Sequence, residues 1–180
     1  MRKIAAGLFI SLDGVVEAPE QWHFPYFNDE MGAIVGAQQA ESDTMLLGRR
    51  TYEEFAAYWP NSDDELAPLM NETPKLVAST TLTETTWRNT TVIGGDVAAR
   101  LAELKRGPGR TISIVGSGTL VRSLLRVGVI DELRLLVHPI VVGAGKRLFP
   151  DGSDPVPLRL LDSQALSSGV LSLTYGPVSA

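Results

Sequence analysis

The sequence predicts an α/β protein: a mostly parallel central sheet with helices on both faces, closed by a C-terminal antiparallel strand pair. Three observations carry this. Strand-like and helix-like hydrophobic patterns alternate through most of the chain, as in a layered α/β sheet. The first strand, Lys3 to Leu12, is almost continuously apolar, the pattern of a strand covered on both faces. Near the end, two strand-like runs, Leu158 to Leu161 and Val170 to Tyr175, flank Gly169 with no helix between them. With 180 residues, 44% of them hydrophobic and 21% charged, the chain suits one domain, 1–180, with a full core.

Asp13-Gly14 ends the first strand with turn chemistry. A long loop from Val15 to Phe27 follows, carrying Trp22, Phe24, Tyr26 and Phe27. Asn28 is placed to cap a helix whose Met31, Ile34, Val35 and Gln38 share a face. Thr44 to Leu47 is a short strand, and Gly48-Arg49-Arg50-Thr51 leads directly into a helix that Pro60 stops. Thr51 and Glu54 have capping-box spacing there. Asn61 to Glu72 reads as a polar surface connection with a helical turn, and Lys75 to Ala78 as a strand ending in Ser79-Thr80-Thr81. Thr90 to Ile93 is the next strand; Asp96 then caps a helix with Val97, Leu101 and Leu104 inward, broken by Gly107-Pro108-Gly109. Ile112, Ile114 and Val115 form a buried strand, Gly116-Ser117-Gly118 a tight turn, and Leu120, Val121, Leu124 and Leu125 a helical face stopped by Gly128. Leu133 to Val137 is another strand, Ile140 to Val142 continues extended, and Gly143-Ala144-Gly145 turns the chain.

Composition narrows the function. The net charge of −5 argues against nucleic acid as the main partner. No run approaches the about 20 apolar residues that would span a bilayer. The basic, apolar start, MRKIAAGLFISLDG, reads as the first core strand rather than a signal peptide, so a cytoplasmic location is expected. The absence of cysteine excludes thiolate chemistry, and two histidines, His23 and His138, make a metal site improbable.

Two stretches carry anion-binding signals. The strand–glycine-turn–helix unit at Gly116 to Leu120 presents free N–H groups at a helix N-terminus, where a phosphate binds readily; a plain strand-to-helix turn is the simpler reading. Arg49 and Arg50 stand at a helix start with the wrong sign for the helix dipole, a conflict that a bound anion would resolve; two solvated arginines are the alternative. Ser79 and Thr80 offer hydroxyls that suit a ribose or phosphate, or simply a turn. The aromatic loop is either a lid over a small-molecule substrate or a patch packed on the core or at a subunit contact.

These pieces together resemble the dihydrofolate reductase-like family, most closely its riboflavin-biosynthesis reductase (RibD C-terminal domain) branch. The resemblance rests on Ser11-Leu12-Asp13-Gly14, Gly48-Arg49-Arg50-Thr51-Tyr52, Ser79-Thr80, Gly116-Ser117-Gly118, and Pro139 followed by Gly143-Ala144-Gly145-Lys146-Arg147-Leu148-Phe149, in that order over essentially the whole chain. It implies a dihydrofolate reductase-like three-layer fold and NADPH lying across the strand ends. Gly48, Arg49, Arg50 and Thr51 would then hold phosphates, Ser79 and Thr80 would lie near the adenosine 2′-phosphate, and Gly116, Ser117, Gly118, Thr119 and Leu120 would meet the pyrophosphate. The expected activity is hydride transfer to a small carbonyl or imine compound, pterin- or pyrimidine-like. Asp13 is the candidate polar group near the nicotinamide, with turn capping as the alternative, and Trp22, Phe24, Phe27 and Met31 are the candidate substrate contacts. Asp29 and Glu30 sit at the helix start rather than inside it, which weighs against folate, and no zinc-deaminase signature is present, so a stand-alone reductase is expected. A nucleotide-binding or regulatory protein that retains the NADPH site without catalysis is the alternative. The terminal strands carry Leu158, Leu160, Leu161, Val170, Leu171 and Leu173, which need cover, and a homodimer is expected.

Overall fold

The computed structural model describes residues 1–178. Its eight strands form one sheet in the order β4-β3-β2-β5-β1-β6-β8-β7. In chain order they are β1 (Ile4–Ser11), β2 (Ser42–Gly48), β3 (Lys75–Ala78), β4 (Thr90–Ile93), β5 (Thr111–Val115), β6 (Glu132–His138), β7 (Leu158–Ala165) and β8 (Leu171–Pro177). The first six run parallel to one another; β8 pairs antiparallel with both β6 and β7. The helices are α1 (Asp29–Glu41), α2 (Arg49–Tyr58), α3 (Ala67–Glu72), α4 (Val97–Arg106) and α5 (Gly118–Arg126). This is the mostly parallel α/β sheet, closed by a C-terminal antiparallel pair, that the sequence predicts.

Strand alternation divides the core into two faces. Ile4, Ala6, Leu8 and Ile10 of β1, with Leu46 of β2, Ile112 and Ile114 of β5, pack against Leu101 of α4 and Val121, Leu124 and Leu125 of α5. The opposite face carries two clusters. Met45, Leu47 and Val77 meet Tyr52 of α2, Met70 of α3 and Trp87. Leu136 meets Met31 of α1 together with Leu166 and Val170 at the β7–β8 connection. Burying each large aliphatic side chain contributes roughly 1.5–3 kcal/mol, so the central parallel strands, covered on both sides, form the most strongly held part of the sheet.

The terminal pair is longer than the sequence pattern predicts, because β7 is polar along Asp162-Ser163-Gln164 and gives no apolar signal there. The capping box expected at Thr51 and Glu54 does not form. The helix begins three residues earlier, with Gly48 as N-cap and no side-chain cap, and the Thr51 hydroxyl is engaged elsewhere. Asn28 does cap α1 through the Met31 N–H, and Asp96 caps α4 through that of Ala99.

Lys75, which opens β3, is only 1% exposed. Its ammonium donates to the carbonyls of Asn71 (3.0 Å), Thr73 (2.7 Å) and Arg88 (3.2 Å) and lies 4.1 Å from the Trp87 ring centre. These contacts favour the charged form, but burial outweighs them and pushes its pKa down from the ordinary 10.5 to about 8. Between those values the folded chain binds fewer protons than the unfolded chain, so stability rises with pH there. The urea midpoint of the wild type should therefore climb between pH 8 and 10 relative to that of Lys75→Met; parallel curves would show that Lys75 keeps its proton.

Candidate functional site

Ser79, Gly48, Gly116 and Asp13 lie at or just beyond the carboxyl ends of β3, β2, β5 and β1, so they line one edge of the sheet in that order. At about 4.8 Å per strand, this row spans roughly 14 Å.

Its centre is the junction between the ends of β2 and β5. Gly116 and Ser117 both have left-handed backbone, with φ of 60° and 57°. This tight reversal turns the chain straight from β5 into α5, whose first N–H groups, at Gly118, Thr119 and Leu120, lack intrahelical acceptors. The Ser117 side chain does not cap its own helix. Instead its hydroxyl accepts from the Gly48 N–H (2.8 Å) and donates to Thr51 Oγ1 (2.8 Å). The two chains approach so closely that a Cβ on Gly48 would lie 3.0 Å from Ser117 Oγ, and one on Gly116 3.2 Å from Thr51 Cγ2. Two anion signals that stand far apart in sequence are thus one place, where two helix N-termini meet over a pair of hydroxyls. The Thr51 hydroxyl accepts from Ser117, which leaves its own hydrogen for another acceptor.

Arg49 and Arg50 are exposed beside this junction. Arg49 makes a long, half-exposed contact to Glu53 at 3.6 Å, and Arg50 has no ion-pair partner among the described residues. Thr119 is exposed, its hydroxyl accepting from Arg122 (3.2 Å), while Leu120 packs on the main core. The Ser79 hydroxyl accepts from the N–H groups of Thr81 (3.2 Å) and Leu82 (3.0 Å), so it closes the turn after β3; Thr80 is exposed next to it.

Asp13 fastens two loops. Its carboxylate accepts from the Ser11 hydroxyl (2.6 Å) and from the N–H groups of Val142 (3.0 Å) and Gly143 (2.8 Å). These hydrogen bonds, that of Ser11 foremost, lower its pKa to about 2. Around it, residues 12–17 and 140–148 lie side by side. Leu12 N–H donates to Ile140 O, Val16 N–H to Lys146 O and Leu148 N–H to Gly14 O, while Glu17 accepts from Lys146 N–H. Asp13 has the geometry of a turn cap that also reaches a second loop, 129 residues away.

The four candidate substrate contacts divide. Met31 has no exposed surface and packs on Leu136, Leu166 and Val170, which corrects its placement as a substrate contact. Trp22 is 7% exposed, its indole N–H donating to Glu17 O (3.2 Å), so its ring packs the loop onto the sheet rather than facing a ligand. Phe24 and Phe27 are 63% and 48% exposed and remain open to a ligand. Between them His23 stacks on Phe9 of β1, with ring centres 4.7 Å apart and planes at 14°. His138, at the end of β6, is fully buried, with Phe9, Trp22, His23 and Tyr26 all edge-on to it. In the sequence the two histidines stand out only as potential metal ligands. The available signal was that His23 stands between Trp22 and Phe24, and that His138 follows Val137 at the end of an apolar run.

The RibD C-terminal domain family matches residues 2–172, and the chain belongs to that family. It is 30% identical over 180 residues to the uncharacterized protein YyaP of Bacillus subtilis (strain 168), covering 97% of this chain and 94% of that one. Among solved structures it resembles a putative riboflavin biosynthesis protein from Shewanella sp. PV-4, with a TM-score of 0.79, 20% identity, and 98% and 99% of the two chains covered. It also resembles dihydrofolate reductase from Enterococcus faecalis, with a TM-score of 0.62, 16% identity and coverage of 96% and 93%. No helix among the described residues is long and apolar enough to cross a membrane.

Replacing Asp13 with Asn should raise the exchange rates of the Val142 and Gly143 amides at neutral pH without affecting those of β1. A carboxyl with a lowered pKa holds its contacts above the ordinary value of 3.8 and loses them as pH falls through about 2. In the wild type the same amides should therefore stay protected at pH 4 and open towards pH 2. Equal protection in Asp13→Asn and wild type would show that the backbone ribbon alone holds the loops.

Proposed function

We propose that the chain is an NADPH-dependent reductase of a small carbonyl or imine compound, pterin- or pyrimidine-like. The observation that carries this reading is the Gly48–Ser117–Thr51 junction. It gathers two helix N-termini, a free hydroxyl hydrogen and two exposed arginines at the carboxyl ends of adjacent parallel strands. That donor set fits a dinucleotide pyrophosphate: N–H groups at helix starts and planar guanidinium groups are both strong phosphate ligands. Membership of the RibD C-terminal domain family supports the same assignment. NADPH, when bound, supplies the hydride.

The chain's own residues divide the remaining work along the sheet edge. Gly116 to Leu120 offer N–H donors from α5, and Gly48 to Thr51 offer those of α2. Arg49 and Arg50 favour an additional phosphate. Thr80, with the turn that Ser79 closes, borders the same end of the row. At the other end, Phe24 and Phe27 present ring faces to a flat substrate, and the paired loops bound by Asp13 close the side of the cleft. The chain uses small polar residues where a pyrophosphate must approach the backbone and aromatic residues where a planar compound must be held.

Converting Arg49 and Arg50 together to alanine should weaken NADPH binding by about tenfold or more, the scale of one lost charge-assisted contact of about 1.5–3 kcal/mol. NADH binding should change much less. Both affinities can be read from cofactor fluorescence, and absorbance at the reduced nicotinamide band can follow turnover with a panel of pterins and quinones. An equal loss for both cofactors, or a wild type that prefers NADH, would remove the phosphate role of the arginines; binding without turnover on any substrate would favour a regulatory protein.

A homodimer belongs to this proposal. β7 is the outer strand of the sheet, and seven of its eight residues are exposed, Leu160 at 51% and Leu161 at 44% among them. With Leu171 of β8 also 43% exposed, this end of the sheet presents apolar surface that a two-fold copy would cover. Light scattering at micromolar concentration should give twice the 19.4 kDa of one chain. A mass that stays at one chain's value across the concentration range would end the dimer assignment.

A further inference from the structure

The two histidines have no part in the cofactor reading, yet they form the most densely aromatic contact in the molecule. His138 Nδ1 lies 2.8 Å from Leu136 O. A carbonyl only accepts, so Nδ1 carries the hydrogen and Nε2 is a bare acceptor. That Nε2 is buried with no partner, and so is Nδ1 of His23. The two rings stand 6.0 Å apart, nearly perpendicular, with His138 fully buried and His23 only 7% exposed. His23 belongs to the aromatic segment, whereas His138 and Phe9 belong to the sheet. The segment is therefore held down partly by contacts that suit uncharged rings.

We propose that His23 and His138 form an acid-released latch: while both are neutral they seat residues 18–27 on the ends of β1 and β6, and protonation lets the segment lift. A charged imidazolium at His23 would carry an N–H with no acceptor into an aromatic enclosure, one at His138 would be a buried charge among rings, and charging both would set like charges about 6 Å apart. The surroundings offer little compensation. From β1 the facing ring is Phe9, and from the segment itself Trp22, Phe24, Tyr26 and Phe27. The carboxylate that acts on His23 is Glu20, and it is outweighed by burial and by His138. The carbonyls of Leu136 and Ile10 favour protonated His138, but burial again prevails. Both groups are thus held below their ordinary value of 6.5. Sign follows from linkage: the closed form binds fewer protons than the open form near pH 6, so falling pH favours the open form. The latch positions the exposed rings of Phe24 and Phe27, and through them it would make ligand access pH-dependent.

The test uses the ligand-free full chain, so its result is independent of the cofactor assignment. Amide exchange of Trp22 to Phe27, corrected for the intrinsic pH dependence of exchange, should lose protection by at least about tenfold between pH 7.5 and 5.0. Exchange in β1 and β6 should be unchanged. In His23→Phe, which keeps a stacking ring but leaves His138 in place, the loss should be clearly smaller than in the wild type. A second measurement needs no variant: ring-nitrogen NMR of the wild type should show both histidines titrating below 6.5. Protection that does not change down to pH 5.0, the same loss in His23→Phe, or titration of the rings at or above 6.5 would each overturn the latch.

Discussion

The Ser117 hydroxyl holds the site together. It bonds to the backbone at the end of β2 and to a side chain in the first turn of α2, although Ser117 itself follows β5. Both contacts require that nothing stand between the two turns, which Gly48 and Gly116 ensure by having no side chain. Each turn is already anchored by a strand buried on both faces, so the hydroxyl adds orientation rather than bulk stability. Two helix N-termini that would otherwise repel through their dipoles are held in contact. A bound anion would relieve this conflict, which is why the proposed cofactor is placed at this junction.

Most of the architecture was legible because the signals were local. The alternation of apolar runs gave every strand, and Asn28 and Asp96 capped the helices their positions implied. What was not legible depended on pairs distant in sequence. Thr51 satisfied a local capping rule with Glu54, yet its hydroxyl was taken by Ser117, 66 residues on. Met31 sat on a helix face that a cleft or a core could equally use, and the β7–β8 connection decided for the core. Lys75 gave no sign of burial, because its partners are carbonyls, which no side-chain pattern reveals.

The two ends of the row of strand ends differ in chemistry. Around β2 and β5 the groups are small, polar and rich in backbone donors. Around β1 and β6 they are aromatic, with the Asp13 carboxylate turned into the loop pairing. A polar, phosphate-bearing ligand and a flat apolar one would sort themselves along this edge without any residue having to reject the wrong partner. The sheet order makes this possible, since β1 lies between β5 and β6 and so adjoins both environments.

The paired loops set where the aromatic segment can bend. Residues 12–17 are bound along their length to 140–148, through backbone bonds, Asp13 and Glu17. A lever needs a fulcrum, and this ribbon is stiff up to Glu17. The next residue, Ala18, already has a left-handed backbone, with φ of 46°, an uncommon conformation for a residue with a side chain. The far end is fixed again where Asn28 caps α1. The moving arm is therefore only about ten residues long, pivoting at Ala18 and Asn28, and any opening must swing His23, Phe24 and Phe27 together as one flap.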